Sequence, residues 1–150
     1  MKMFKRLDKP FGQVMVERGL ITSEQLAKAL EIQRSLGGML GEILVDLGFI
    51  SEVDIANALS LIYGIPFLPL EGYEPSAELK SMVPRRIADH YLIAPIDKIG
   101  SSVTLAMLNP MNADAIEDVE LMTKCEAQVF VSTRSMIKDM IDRIYCKDTK

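Results

Sequence analysis

The sequence predicts an α+β protein in two parts. The first part is a four-helix subdomain made of two tandem helix-turn-helix repeats, and the second is a small subdomain of order ββαβα. Two observations predict this. Shifting the chain by 29 positions places Gly12 on Gly41, Gly19 on Gly48, Val16 on Val45, Ile21 on Ile50 and Leu30 on Leu59, with mild substitutions between them. A period of that length with shared residue character marks a repeated supersecondary unit, and neither copy is long enough to bury its own apolar face. Beyond Pro66 the pattern changes, and short apolar runs at 92–96, 103–107 and 127–131 read as strands separated by turns and helical stretches.

In the first repeat, Pro10 suits the start of a helix that runs to Arg18, and Gly19 follows as a residue able to take positive φ. Thr22 then reads as an N-cap with Gln25 completing a capping box, and Leu26, Ala29 and Leu30 keep helical spacing until Gly37 and Gly38. The second repeat uses the same punctuation: Gly48, Ser51 as N-cap with Asp54 in the first turn, then Gly64-Ile65-Pro66 as the stop. The expected organisation is 8–65 for the repeat subdomain, 66–75 for a linker containing Pro66, Pro69, Gly72 and Pro75, and 76–146 for the α+β subdomain. Within the last part, short helices are expected over 77–82 and from Pro84 to about Asp89. A hairpin turning at Gly100-Ser101 follows, with Pro95 marking an edge strand or a bulge. A helix over 113–123 precedes the third strand. Thr133 or Ser135 caps a last helix with Met136, Ile137, Met140, Ile141 and Ile144 on one face.

Composition excludes several classes. Hydrophobic residues make up 49% and charged residues 25%, as in ordinary globular proteins. A net charge of −4 gives no support to nucleic-acid binding. Lys2, Lys5, Arg6 and Lys9 have no apolar run behind them, so they do not form a signal peptide. No apolar stretch reaches the roughly 18 residues of a membrane span. Cys125 and Cys146 lie far apart and suit a reducing, cytoplasmic setting. A lone histidine, His90, leaves metal binding without support. No G-x-x-x-x-G-K-[ST], G-x-S-x-G or H-E-x-x-H occurs, and the chain reads as a non-enzyme with no certain cofactor.

The repeat carries a resemblance. Pro10-Phe11-Gly12-x-x-Met15-x-x-x-Gly19 followed by Leu26-x-x-x-Leu30-x-x-Gln33, and Met39-Leu40-Gly41-x-x-Leu44-x-x-x-Gly48 followed by Ile55-x-x-x-Leu59-x-x-Ile62, resemble the two motif copies of the MshEN domain. That is the N-terminal domain of type II secretion and type IV pilus assembly ATPases. Residues 73–75, 84–88 and 105–110 also resemble the family's second subdomain, so the likeness runs over roughly residues 8–145. It implies a regulatory or docking module that binds a protein partner of a bacterial secretion, pilus or signalling assembly, without membrane insertion. The alternative it implies is a receptor for the nucleotide second messenger cyclic di-GMP. For that ligand the contacting residues would be Phe11, Gly12, Met15, Leu26, Leu30, Gln33, Leu40, Gly41, Leu44, Ile55 and Leu59. Two copies of one motif suit a twofold-symmetric ligand, and glycines at 12 and 41 would allow close backbone approach. The pattern's head arginines are replaced by Pro10 and Met39, and its second tail glutamine by Ile62. Gln33 occupies an otherwise apolar stripe, where it faces a ligand, caps a neighbouring backbone group or reaches solvent.

Overall fold

Residues 10–145 are described by a computed structural model. The basic residues before Pro10, Cys146 and the outermost ends of the two expected subdomains lie outside them. The chain divides into two compact units, Met1–Gly64 and Ile65–Lys150.

The first unit is helical throughout its described residues: α1 (Phe11–Glu17), α2 (Ser23–Leu36), α3 (Leu40–Asp46) and α4 (Glu52–Tyr63). Local chemistry sets each boundary. The Thr22 hydroxyl accepts from Gln25 N at 3.0 Å, while Gln25 Oε1 accepts from Thr22 N at 2.9 Å, closing the capping box that starts α2. Ser51 Oγ accepts from Asp54 N at 3.1 Å and starts α4. At the far end of α4, Gly64 takes the left-handed conformation and its N–H returns to Ser60 O. The link between the repeats needs two glycines in succession, because Gly37 (φ 77°, ψ −170°) and Gly38 (φ 100°) lie where a side chain is strained. α2 packs on α3, and α1 packs on both α2 and α4. Met15 and Leu44, which occupy equivalent positions in the two repeats, are fully buried at 0% exposure.

The second unit holds α5 (Leu79–Met82), α6 (Arg85–Tyr91), β1 (Ile93–Ile99), β2 (Ser102–Met107), α7 (Ala113–Thr123), β3 (Glu126–Val131) and α8 (Arg134–Tyr145). The strands form one sheet of order β1-β2-β3. β1 and β2 are an antiparallel hairpin whose register shifts between Pro95 and Asp97. Pro95 has no N–H to give the ladder, so it sits on an edge strand at an irregularity. β3 runs parallel to β2, with α7 as the crossover that parallel pairing requires. Strands and helices together make the fold α+β, with ββαβα following two short helices.

Residues 66–75, expected as a linker, lie along this second unit. Val131 N donates to Pro66 O (2.9 Å), Leu68 N to Val131 O (2.8 Å) and Ser132 Oγ to Leu68 O (2.9 Å). Leu70 is buried, Arg143 Nη2 donates to Tyr73 O at 2.7 Å, and Ser76 N donates to Ile96 O. The strap therefore runs from the outer side of β3 to the outer side of β1. Its prolines stop a regular ladder, and it is tied to the edges at separate backbone groups, Pro66 and Leu68 beside β3 and Ser76 beside β1.

Helix α8 starts at Thr133, whose hydroxyl accepts from Met136 N, and buries Ile137, Met140, Ile141 and Ile144. At its end, the Tyr145 hydroxyl donates to Val83 O at 2.7 Å, and burial pushes the phenol up to about 12. Because the folded pKa lies above the ordinary 10, this contribution to stability is complete below pH 10. It is lost as pH rises from 10 through about 12, where the unfolded chain ionises first. Tyr145→Phe is expected to lower stability by about 1 kcal/mol at pH 7 through the lost hydrogen bond. It should also flatten the decline between pH 10 and 12, read by urea unfolding at a series of pH values. An unchanged alkaline slope in the variant would assign that decline to other groups.

Candidate functional site

The candidate residues all lie in the first unit, and the helices sort them into two sets. Met15, Leu44, Ile55 and Leu59 are core side chains. Phe11, Leu26, Leu30, Gln33 and Leu40 are half-buried and retain surface around the α1–α2–α3 junction. The two copies of the motif are therefore unequal. Leu26, Leu30 and Gln33 along α2 are partly open, whereas their equivalents Ile55, Leu59 and Ile62 along α4 are 6%, 7% and 3% exposed.

The motif glycines serve helix packing. A Cβ on Gly12 would lie 2.5 Å from Leu26 Cδ1 and 3.2 Å from Leu40 Cδ2, and one on Gly41 would lie 3.2 Å from Ile55 Cγ2. Both positions are buried. Side chains from the neighbouring helix, rather than open space for a ligand, occupy the room each glycine frees.

The head and tail positions decide the electrostatics. Pro10 and Met39 are the N-caps of α1 and α3, both with extended backbone, and neither makes a side-chain capping bond. At the tail of the first copy, Gln33 Nε2 donates to Gly38 O at 3.0 Å, and Gln33 O accepts from Gly37 N at 2.8 Å. Of the three roles open to Gln33 in the sequence, the structure shows a backbone cap, here on the link between repeats. At the tail of the second copy, Ile62 is core and the chain leaves through Gly64 without needing such a cap.

Elsewhere, polar pairs tie elements together. Tyr91 donates to the Asp118 carboxylate at 2.7 Å, and that hydrogen bond raises the phenol's pKa. Arg85 holds both Asp89 and Asp142. His90 stacks edge-on against Tyr91 at 4.8 Å. Among the described residues no group of three His, Cys, Asp or Glu side chains could hold a metal, and no helix is long and apolar enough to cross a membrane. Outside the motif, Leu36, Val53, Leu61, Ile99 and Leu121 are large, apolar and exposed.

A duplicated helical unit and a three-stranded unit with a strap along its edges make up the described residues. The chain belongs to the MshEN domain family, which it matches over residues 63–149. That match covers the second unit and the end of α4, while similarity to whole proteins extends into the tandem repeat. The type IV pilus assembly ATPase PilB of Myxococcus xanthus is 31% identical over 136 residues, covering 91% of this chain and 24% of that protein. PilB of Thermus thermophilus is 35% identical over 130 residues, covering 85% of this chain and 15% of that protein. The chain thus spans a quarter or less of these relatives. A solved structure of MshE with cdg superposes at a TM-score of 0.77 with 26% identity, covering 91% of this chain and 99% of that one. The N-terminal domain of XpsE superposes at 0.77 with 24% identity over 97% of this chain and 99% of that one, a likeness of fold. The matched family is that of a domain, and the sequence given contains no G-x-x-x-x-G-K-[ST] phosphate-binding loop.

Proposed function

We propose that the chain is a regulatory docking module of the type found in secretion and pilus assembly ATPases, and that it acts by binding a protein partner. The observation that carries this reading is the chemistry of the tandem motif. Both head positions lack a cation, the one remaining tail amide is engaged on Gly38 O, and Met15, Leu44, Ile55 and Leu59 are core. Such a surface offers apolar contact and little to grip phosphate, for which charge-assisted bidentate donors are the strong ligands.

A second reading has its own support. The likeness to MshE with cdg, at 26% identity and over nearly all of both chains, favours a cyclic di-GMP receptor using the half-open residues Phe11, Leu26, Leu30, Gln33 and Leu40. Isothermal titration with cyclic di-GMP, with GTP and ATP as controls, separates the two. The expected result is weak or absent binding at near-physiological salt. A dissociation constant at or below about 1 μM, some −8 kcal/mol, would put the nucleotide reading first.

A further inference from the structure

We propose that Met136 is an oxidation site through which a peroxide loosens the strap from β3. The inference is independent of the docking reading and concerns the second unit alone. Ser132, between β3 and α8, is 1% exposed, and its hydroxyl faces two acceptors. One is Leu68 O on the strap at 2.9 Å, and the other is Met136 Sδ at 3.6 Å. A hydroxyl has a single proton to give, so the two acceptors compete for it. The carbonyl wins in the reduced protein, because its distance is ordinary for O–H···O and a thioether is a weak acceptor. The backbone keeps Met136 in place, since its N–H donates to Thr133 Oγ1 at 3.1 Å in the first turn of α8. Met15, Met107 and Met140 are fully buried, whereas Met136 is half-buried and within reach of a small oxidant.

A lone pair of the Met136 sulfur attacks one oxygen of hydrogen peroxide, and the S–O bond forms as the O–O bond breaks. The departing hydroxide collects the proton from the oxygen now on sulfur and leaves as water. Sulfur loses two electrons and the peroxide gains them, which gives methionine sulfoxide. The sulfoxide oxygen carries the negative end of a polar S–O bond, so it outranks the thioether as an acceptor and takes the Ser132 proton. The unbranched side chain lets that oxygen turn toward Ser132 without moving α8. Leu68 O then lacks a donor, and it regains one by lifting into water. The backbone pairs that Pro66 and Leu68 make with Val131 flank this carbonyl and open with it. The rest of the strap is held separately, by the burial of Leu70, by Arg143 on Tyr73 O and by Ser76 N on Ile96 O. Oxidation therefore frees the β3 end and uncovers the outer backbone groups of Val131.

The test treats the whole chain with dilute hydrogen peroxide, locates sulfoxides by peptide mass spectrometry and follows backbone amide exchange. In wild type, oxidation at Met136 is expected to speed exchange of the Leu68 and Val131 amides about tenfold and to leave Ser76 unchanged. Methionine sulfoxide reductases acting on both epimers should restore the original rates. Met136→Leu keeps the side-chain volume, and its Leu68 exchange should not respond to peroxide. Ser132→Ala should exchange faster at Leu68 before any peroxide is added and gain nothing on treatment. Circular dichroism confirms that both variants fold, and the wild-type comparison stands without them. Met136 sulfoxide with unchanged Leu68 exchange would overturn the proposal, as would a Met136 that stays unoxidised in the folded chain. Equal acceleration in Met136→Leu would trace the effect to another methionine, and acceleration at Ser76 would mean general loosening. Either result overturns it as well.

Discussion

Replacing Leu44 with alanine is expected to destabilise the repeat unit by about 3 kcal/mol, and Met15→Ala by a similar amount. Both side chains are fully buried, at positions that coincide when one repeat is shifted onto the other. Truncation removes several methylene equivalents from a close-packed interior, and the helices around them relax only partly. The matching control is Leu61→Ala, which removes the same atoms from an exposed site and should stay within about 0.5 kcal/mol of wild type. Urea unfolding, with amide exchange in α1 to α4 as the local readout, measures all three. Equal losses at 44 and 61 would show that the helical unit is not organised around the Met15 and Leu44 positions. The contrast also bears on function, since a residue on which the fold depends this heavily has no side-chain surface left for a ligand.

The punctuation of the chain was legible because each signal is local. Thr22 with Gln25, Ser51 with Asp54, the Gly37-Gly38 link and the Pro95 irregularity all act within a few residues, and the structure uses each as its chemistry dictates. The strap over 66–75 was not legible as part of the second unit. Its partners Val131, Ser132 and Arg143 lie far along the chain, and its prolines conceal an extended segment that pairs only at isolated points. The parallel pairing of β3 with β2 is likewise a long-range choice that strand pattern alone does not make. Within the candidate site, the motif shows where residues recur but not how each copy is covered. Leu30 and Leu59 are the same residue at the same motif position, one half-open and one buried. Gln33 had three open roles for a similar reason. Its partner is a backbone carbonyl in a turn whose path depends on two glycines.

Restoring the family pattern is expected to divide into a tolerated part and a disruptive one. Ile62→Gln should cost about 3 kcal/mol or more, because Ile62 is 3% exposed and part of the α4 core. The change loses the burial of an aliphatic side chain, about 2 kcal/mol, and places an amide where no partner awaits it, about 1–3 kcal/mol more. Pro10 is exposed and Met39 half-buried, both at helix N-caps, so arginine at either position can reach solvent. Pro10→Arg should cost only the preorganisation of a fixed φ, about 0.5–1 kcal/mol. The double change Pro10→Arg and Met39→Arg therefore keeps the scaffold and adds two bidentate donors at the heads of α1 and α3. If the groove still matches cyclic di-GMP, each well-placed arginine adds roughly 1–3 kcal/mol by analogy with base readout, and less where water screens it. At least a tenfold gain in affinity is then expected for the double variant, about 1.4 kcal/mol. The triple variant with Ile62→Gln should melt at a markedly lower temperature. Thermal melting and isothermal titration of both variants provide the check. A folded double variant with no gain in affinity would show that the surface left by Phe11, Leu26, Leu30 and Leu40 no longer has the shape of a nucleotide site, and the protein-docking reading would stand alone.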